Sequence, residues 1–222
     1  MGRARDISKV FSTGTALATD TEVSAFNYLT QSSASTVYQT KATAGLTLLT
    51  PGSITNTGGT ASVGANGTVT FSGVSSQSIN DVFSTTYDNY KLVIKLVSSV
   101  ETRLDFRMRV SGADNTTSNY YKESNIAKDT GVAGAESLAQ DKFIGYGTNT
   151  TITPILFEVF SPFIAEATGF LGWNHKVETL ATVHENNFSS GIHNVASSFT
   201  GISLIAASGT ITGTVSVYGY NK

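Results

Sequence analysis

Between Arg103 and Val110 the chain reads Arg103-Leu104-Asp105-Phe106-Arg107-Met108-Arg109-Val110. Apolar side chains take the even positions and charged ones the odd. A period of two puts the two sets on opposite faces of a β-strand with one wet face, and no helix accommodates it. Further strand-like runs follow the same chain at residues 68–71, 92–97, 120–126, 142–147, 151–161, 168–176, 181–188, 199–206 and 210–220. Turn signals lie among them at 87–90, 111–115, 131–135 and 208–209. Residues 79–83 read as one short helical turn, and no longer amphipathic helix is visible. Many short strands without helices predict an all-β fold, an antiparallel β-sandwich or barrel of the jelly-roll kind.

The segment before these strands is different. Residues 1–50 carry few large apolar side chains, too scattered to offset the entropy of ordering the chain by themselves. Residues 51–66 are a Gly/Ser/Thr stretch that reads as a linker with room for one poor strand. The expected organisation is therefore an extended N-terminal segment (1–50), the linker (51–66) and a β-sandwich (67–222). Within the first part, Tyr28-Leu29-Thr30-Gln31 is echoed ten residues later by Tyr38-Gln39-Thr40-Lys41. One aromatic per short polar repeat suits a slender shaft completed by neighbouring chains, and equally suits a polar tail with two tyrosines. Helical and extended forms both remain open for it.

Composition narrows the function. With no Cys, the chain has no disulfide, thiol nucleophile or cysteine-based metal site. A net charge of −2 argues against nucleic acid as a partner. No apolar run is long enough to cross a bilayer as a helix, and the Met1–Asp6 opening lacks the apolar core of a secretory leader.

Catalytic signals are sparse. His175, His184 and His193 are spaced nine apart, so His175 and His184 can meet across adjacent strands, with Glu178 or Glu185 completing a metal set; ordinary surface or inter-chain histidines are the competing reading. Asp105, Glu158, Glu178 and Glu185 can be paired only by folding, and spacing selects no two of them. No Gly-x-Ser-x-Gly elbow occurs, and Gly145-Tyr146-Gly147 lacks the rest of a phosphate loop. The expectation is a protein without catalytic residues, bound metal or cofactor. Tyr120, Tyr121, Tyr146 and Trp173 stand among polar neighbours near turns, as sugar-stacking aromatics do; for Trp173 the alternative is core filling. Arg103, Arg107 and Arg109 with Asp105 line either an inter-subunit face or a solvated one.

The opening Arg3-Ala4-Arg5-Asp6-Ile7-Ser8-Lys9-Val10, the two tyrosine repeats and the ending Ile211-Thr212-Gly213-Thr214-Val215-Ser216-Val217-Tyr218-Gly219-Tyr220 resemble small fibre-type virion proteins of tailed bacteriophages, particularly marine and cyanobacterial ones. The resemblance implies a homotrimer on the phage particle, attached to tail or capsid proteins through Arg3, Arg5, Ile7, Val10 and Phe11. It implies a trimerising shaft, placed at Tyr28, Leu29, Val37 and Tyr38, and an outward β-sandwich tip; with the aromatics near turns, the expected role of that tip is attachment to a host-surface glycan. Such families share no catalytic residues. Fewer than 70 residues precede the tip, which leaves a short tail fibre, a head fibre or a capsid decoration protein all open. A polysaccharide depolymerase is the alternative from another class.

Overall fold

The computed structural model describes residues 45–178 and 183–221, with the backbone alone given for Glu178 and Val183. Arg3, Arg5, Ile7, Val10, Phe11, Tyr28, Leu29, Val37 and Tyr38 therefore lie outside the described residues. A compact unit starts at Gly45. Its strands are β1 (Leu46–Leu48), β2 (Ser53–Thr57), β3 (Thr60–Val63), β4 (Val69–Val74), β5 (Ser76–Asn80), β6 (Asn89–Ser98), β7 (Thr102–Val110) and β8 (Ala113–Asp114). There follow β9 (Tyr120–Lys128), β10 (Gly131–Gln140), β11 (Phe143–Thr148), β12 (Thr153–Phe160), β13 (Glu166–Glu178), β14 (Val183–Ser197), β15 (Gly201–Ala206) and β16 (Ile211–Tyr220). No helix forms among the described residues, and Ile79, expected in a helical turn, lies in β5.

Every pairing is antiparallel. In chain order β4, β5, β6, β7, β11, β12, β15 and β16 pair first with last, second with seventh, third with sixth and fourth with fifth. That nested order is a jelly roll: one long folded ribbon wrapped so that alternate strands fall in two facing sheets. The pairs β6–β16 and β7–β15 complete the order β4-β16-β6-β12 in a wide sheet and β5-β15-β7-β11 in a narrow one. Two inserted pieces, β9–β10 and β13–β14, extend the wide sheet beyond β12 in the order β13-β14-β9-β10.

The core sits between the sheets. Alternate residues of β6 (Tyr90, Leu92, Ile94, Leu96) and β12 (Ile155, Phe157, Val159) point inward and are buried. They meet Leu104, Phe106 and Met108 of β7, the even positions of the alternating run. Phe106 stacks on Phe157 across the gap, with ring centroids 4.2 Å apart. The odd positions of β7 are not simply wet, however. Asp105 is fully buried, accepting from Arg103 Nε (2.5 Å) and Nη2 (3.0 Å) and from the Gly145 amide (3.0 Å). Arg109 is buried among Asn80, Ser78, Ser203 and Asp114, the last carried by β8, which pairs with the end of β7. Arg107 pairs with Asp141. The charges there bond one another within the narrow sheet's outer layer.

Two expectations for loops are corrected. Residues 51–66 are not a linker: β2 joins the narrow sheet beside β5, and β3 joins the wide sheet beside β4. Together β2–β3 and β4–β5 form one hairpin bent over the sandwich edge. Gly59 sits at the bend with φ +52°, where a Cβ would come within 2.0 Å of the Ser72 carbonyl, so glycine is required by both conformation and space. Residues 131–135, expected as a loop, open β10 and pair with β9 from Lys128 back to Ser124. Their Gly and Ala content hides the strand, because nothing alternates.

Candidate functional site

In most strands the apolar phase faces the core. In the half of the β13–β14 hairpin nearest its turn the phase is inverted. Asn174 and Lys176 of β13, and Glu185, Asn187 and Ser189 of β14, are buried on the inner face. Trp173 and Phe188 stand outside, 42% and 52% exposed. The cause is local. This part of the wide sheet faces β11, the edge strand of the narrow sheet, whose main chain needs partners on its open side. Polar side chains supply them: Asn174 Nδ2 donates to the Gly147 carbonyl (2.7 Å) and Lys122 Nζ to the Gly145 carbonyl (3.1 Å). Ser189 Oγ donates to the Tyr146 hydroxyl (2.8 Å), and Lys176 lies 3.6 Å from Glu185 and 2.8 Å from Glu101. Burial, then the nearby Arg103, lowers Lys122 to about 8. Once the inner phase is committed to polar groups, the alternate residues must point to solvent.

The result is an apolar row across the outer face. Val93 (β6), Leu156 (β12), Trp173 (β13) and Phe188 (β14) are successive cross-strand partners. Direct opposition across antiparallel strands brings such side chains to van der Waals range. Lys91, Glu158 and Leu171 border the row and make a shallow groove with Leu156, Trp173 and Phe188. Lys91 and Glu158 form an ion pair at 3.3 Å, and the Tyr220 hydroxyl donates to Glu158 Oε1 at 2.5 Å. Burial, and then the Glu158 carboxylate, push Tyr220 up to about 12, so it stays a donor through the physiological range. On the opposite border stand His175 and Asn186, direct partners whose Nδ1 and Oδ1 are 2.9 Å apart. The site is a flat aromatic strip between two polar borders.

Of the four aromatics expected to contact a ligand, Trp173 lies on this strip and not in the core. Tyr121 shares the outer face, opposite Ile192, and is half-buried. Tyr120 and Tyr146 do not lie on the surface. Tyr120 is buried, its hydroxyl accepting from the Met108 amide (3.0 Å) and donating to the Asn115 carbonyl (3.2 Å). Tyr146 is buried against Phe106 and Phe157. Burial pushes both phenols up. Phe188 was missed as a candidate; its signal was the opposite phase to Glu185, Asn187 and Ser189 in one strand.

The carboxylates do not converge on one cleft. Asp105 is engaged by Arg103, Glu158 by Lys91 on the outer face, and Glu185 by Lys128 (3.0 Å) and Lys176 on the inner. The Glu178 side chain lies outside the described residues. His193 is buried edge-on to Tyr120 and Phe199, and burial lowers its pKa. His175 and His184 do meet, as the nine-residue spacing allowed, with Nε2 and Nδ1 3.3 Å apart. Among the described residues no three His, Asp or Glu groups form a metal cluster.

No family model matches the chain, and no curated protein matches it. Among solved structures, peanut lectin with a nine-residue peptide (PVIWSSATG) is similar over 78% of this chain and 97% of that one, at 10% identity and a TM-score of 0.26. A likeness at that score carries no argument about this chain.

Proposed function

We propose that the chain is a non-catalytic attachment protein of a phage particle, a homotrimeric fibre whose N-terminal residues hold it to tail or capsid proteins. In this reading the jelly-roll domain takes a host-surface glycan on the outer face of the wide sheet. The observation that carries the glycan part is the Trp173–Phe188 pair, two exposed aromatic rings opposed on a flat sheet and bordered by Lys91, Glu158, His175 and Asn186. Pyranose rings present an apolar C–H face that stacks on aromatic rings, while their hydroxyls need donors and acceptors at the sides. A flat strip suits an extended polysaccharide better than a single buried sugar. The virion and fibre part rests on the resemblance of the chain's opening, tyrosine repeats and ending.

Trp173 is the only tryptophan, so its emission reports directly on occupancy of the strip. Titrating the full chain with host envelope polysaccharide should shift that emission saturably. Phe188→Ala should weaken the response roughly tenfold or more, the loss of one stacked ring. No polysaccharide-dependent change in wild type, or an unaltered response in Phe188→Ala, refutes the glycan assignment. Particles carrying Trp173→Ala and Phe188→Ala together should adsorb poorly. Release of reducing ends from the polysaccharide would instead place the chain among depolymerases, and a monomer by native mass would remove the trimeric fibre.

A further inference from the structure

The histidine pair on the border of the strip has a geometry that the attachment reading does not use. We propose that His175 and His184 form an open two-histidine site for a zinc-type divalent transition-metal ion, joining β13 to β14 beside the hairpin turn. Three observations converge on it. The nitrogens His175 Nε2 and His184 Nδ1 are 3.3 Å apart, the edge length of a tetrahedron whose centre lies about 2.0–2.1 Å from each nitrogen, the usual zinc–imidazole distance. The second is the tautomer. Asn186 Oδ1, 2.9 Å from His175 Nδ1, can only accept, so the ring proton sits on Nδ1 and Nε2, the nitrogen nearer His184, keeps its lone pair. A hydrogen bond from the non-ligating nitrogen is the support that metal-binding histidines ordinarily have.

The third concerns position. The His184 amide donates to Asp129 Oδ2 at 3.1 Å, which ties β14 to the β9–β10 turn and holds the backbone that carries the His184 ring. Without the ion, a hydrogen bond donated by His184 Nδ1 to His175 Nε2 accounts for their approach. When the ion takes that place, a neutral His184 ring carries its proton on Nε2, which leaves Nδ1 free to ligate. With only two protein nitrogens, water fills the remaining positions, so the ion exchanges freely and acts as a strut between strands. The hairpin it braces is the one that carries Trp173 and Phe188.

The chain is well suited to a clean test, having no Cys and only three His, of which His193 is buried. The full-length chain without a histidine tag is titrated calorimetrically with Zn²⁺, alongside His175→Gln and His184→Gln. One saturable site per chain is expected, weakened roughly tenfold or more in each variant. Thermal unfolding of each variant in chelator checks that it folds; His184 is exposed, so that variant at least leaves the packing intact. Zn²⁺ should raise the wild-type midpoint and leave that of His184→Gln in place. Uptake of wild-type strength in both variants would assign the ion to another group, the terminal amine included, and overturn the proposal. Absence of saturable uptake by wild type at millimolar Zn²⁺ would overturn it equally.

Discussion

Replacing Phe157 by Ala tests the sandwich at its centre. The ring is fully buried on β12 and bridges both sheets, 4.2 Å from Phe106, 5.4 Å from Phe143 and 5.7 Å from Phe170 by centroids. Withdrawing it from the core forfeits about 2 kcal/mol of transfer free energy. A hole of roughly 80–100 Å³, if the rigid sheets do not collapse into it, adds about 2 kcal/mol more. The sum, about 4 kcal/mol, corresponds to a fall of about 8–16 °C in Tm for a domain of this size. Phe188→Ala makes the same chemical change on the outer face, at a side chain already half in water, and should cost under about 1 kcal/mol. Thermal and urea unfolding followed by circular dichroism read both. A Phe157→Ala loss below about 1 kcal/mol, or equal losses for the two variants, would refute the assignment of inner and outer faces.

The lowered Lys122 gives stability a particular pH profile. Between about 8 and its ordinary 10.5 the folded chain holds a neutral amine while the unfolded chain stays protonated, so unfolding takes up a proton and stability rises with pH. Above about 10 the raised Tyr120 and Tyr146 reverse the trend, since unfolded phenols ionise first and stability falls. Urea midpoints across that range should show the rise in wild type and none in Lys122→Met; a flat wild-type profile refutes it. Gly172→Ala would place a Cβ 2.3 Å from the Tyr146 hydroxyl and 2.5 Å from the Leu156 carbonyl, costing about 1–3 kcal/mol. Adding Tyr146→Phe should recover only part of that, because the carbonyl cannot move away; full recovery would refute the geometry.

What the sequence disclosed depended on how each strand is held. β6, β7 and β12 bury one face of large side chains, so the period of two is written in them. β2, β3 and β10 are mostly Ser, Thr, Gly and Ala and are held by main-chain pairing to β5, β4 and β9, which leaves little pattern to read. For β13 and β14 the strands were visible but not the direction they face. The rule that apolar side chains point inward assigns Trp173 to the core. It fails because the inner face there satisfies the open edge of β11, a demand set by another strand and not written in β13 or β14. Tyr120 and Tyr146 failed in the opposite sense: polar neighbours suggested a surface, yet each hydroxyl finds its partners inside. The meeting of His175 with His184 was within reach, since the hairpin needs only a short turn between them. Their diagonal register, with His184 opposite Val177, was not.

The nested pairing also sets a timetable. Thr68 and Ser216, hydrogen-bonded where β4 meets β16, are separated by 148 residues. At typical elongation rates of about 5–20 residues per second, β4 waits roughly 7–30 s on the ribosome before its neighbour has been made. In that interval the bent β2–β5 hairpin can close, but its side facing β16 stays bare, a row of main-chain donors and acceptors open to any passing strand. The first piece of the sandwich to form is the last to be protected, so yield during synthesis should depend on chaperone supply and temperature more steeply than the stability of the finished fold suggests.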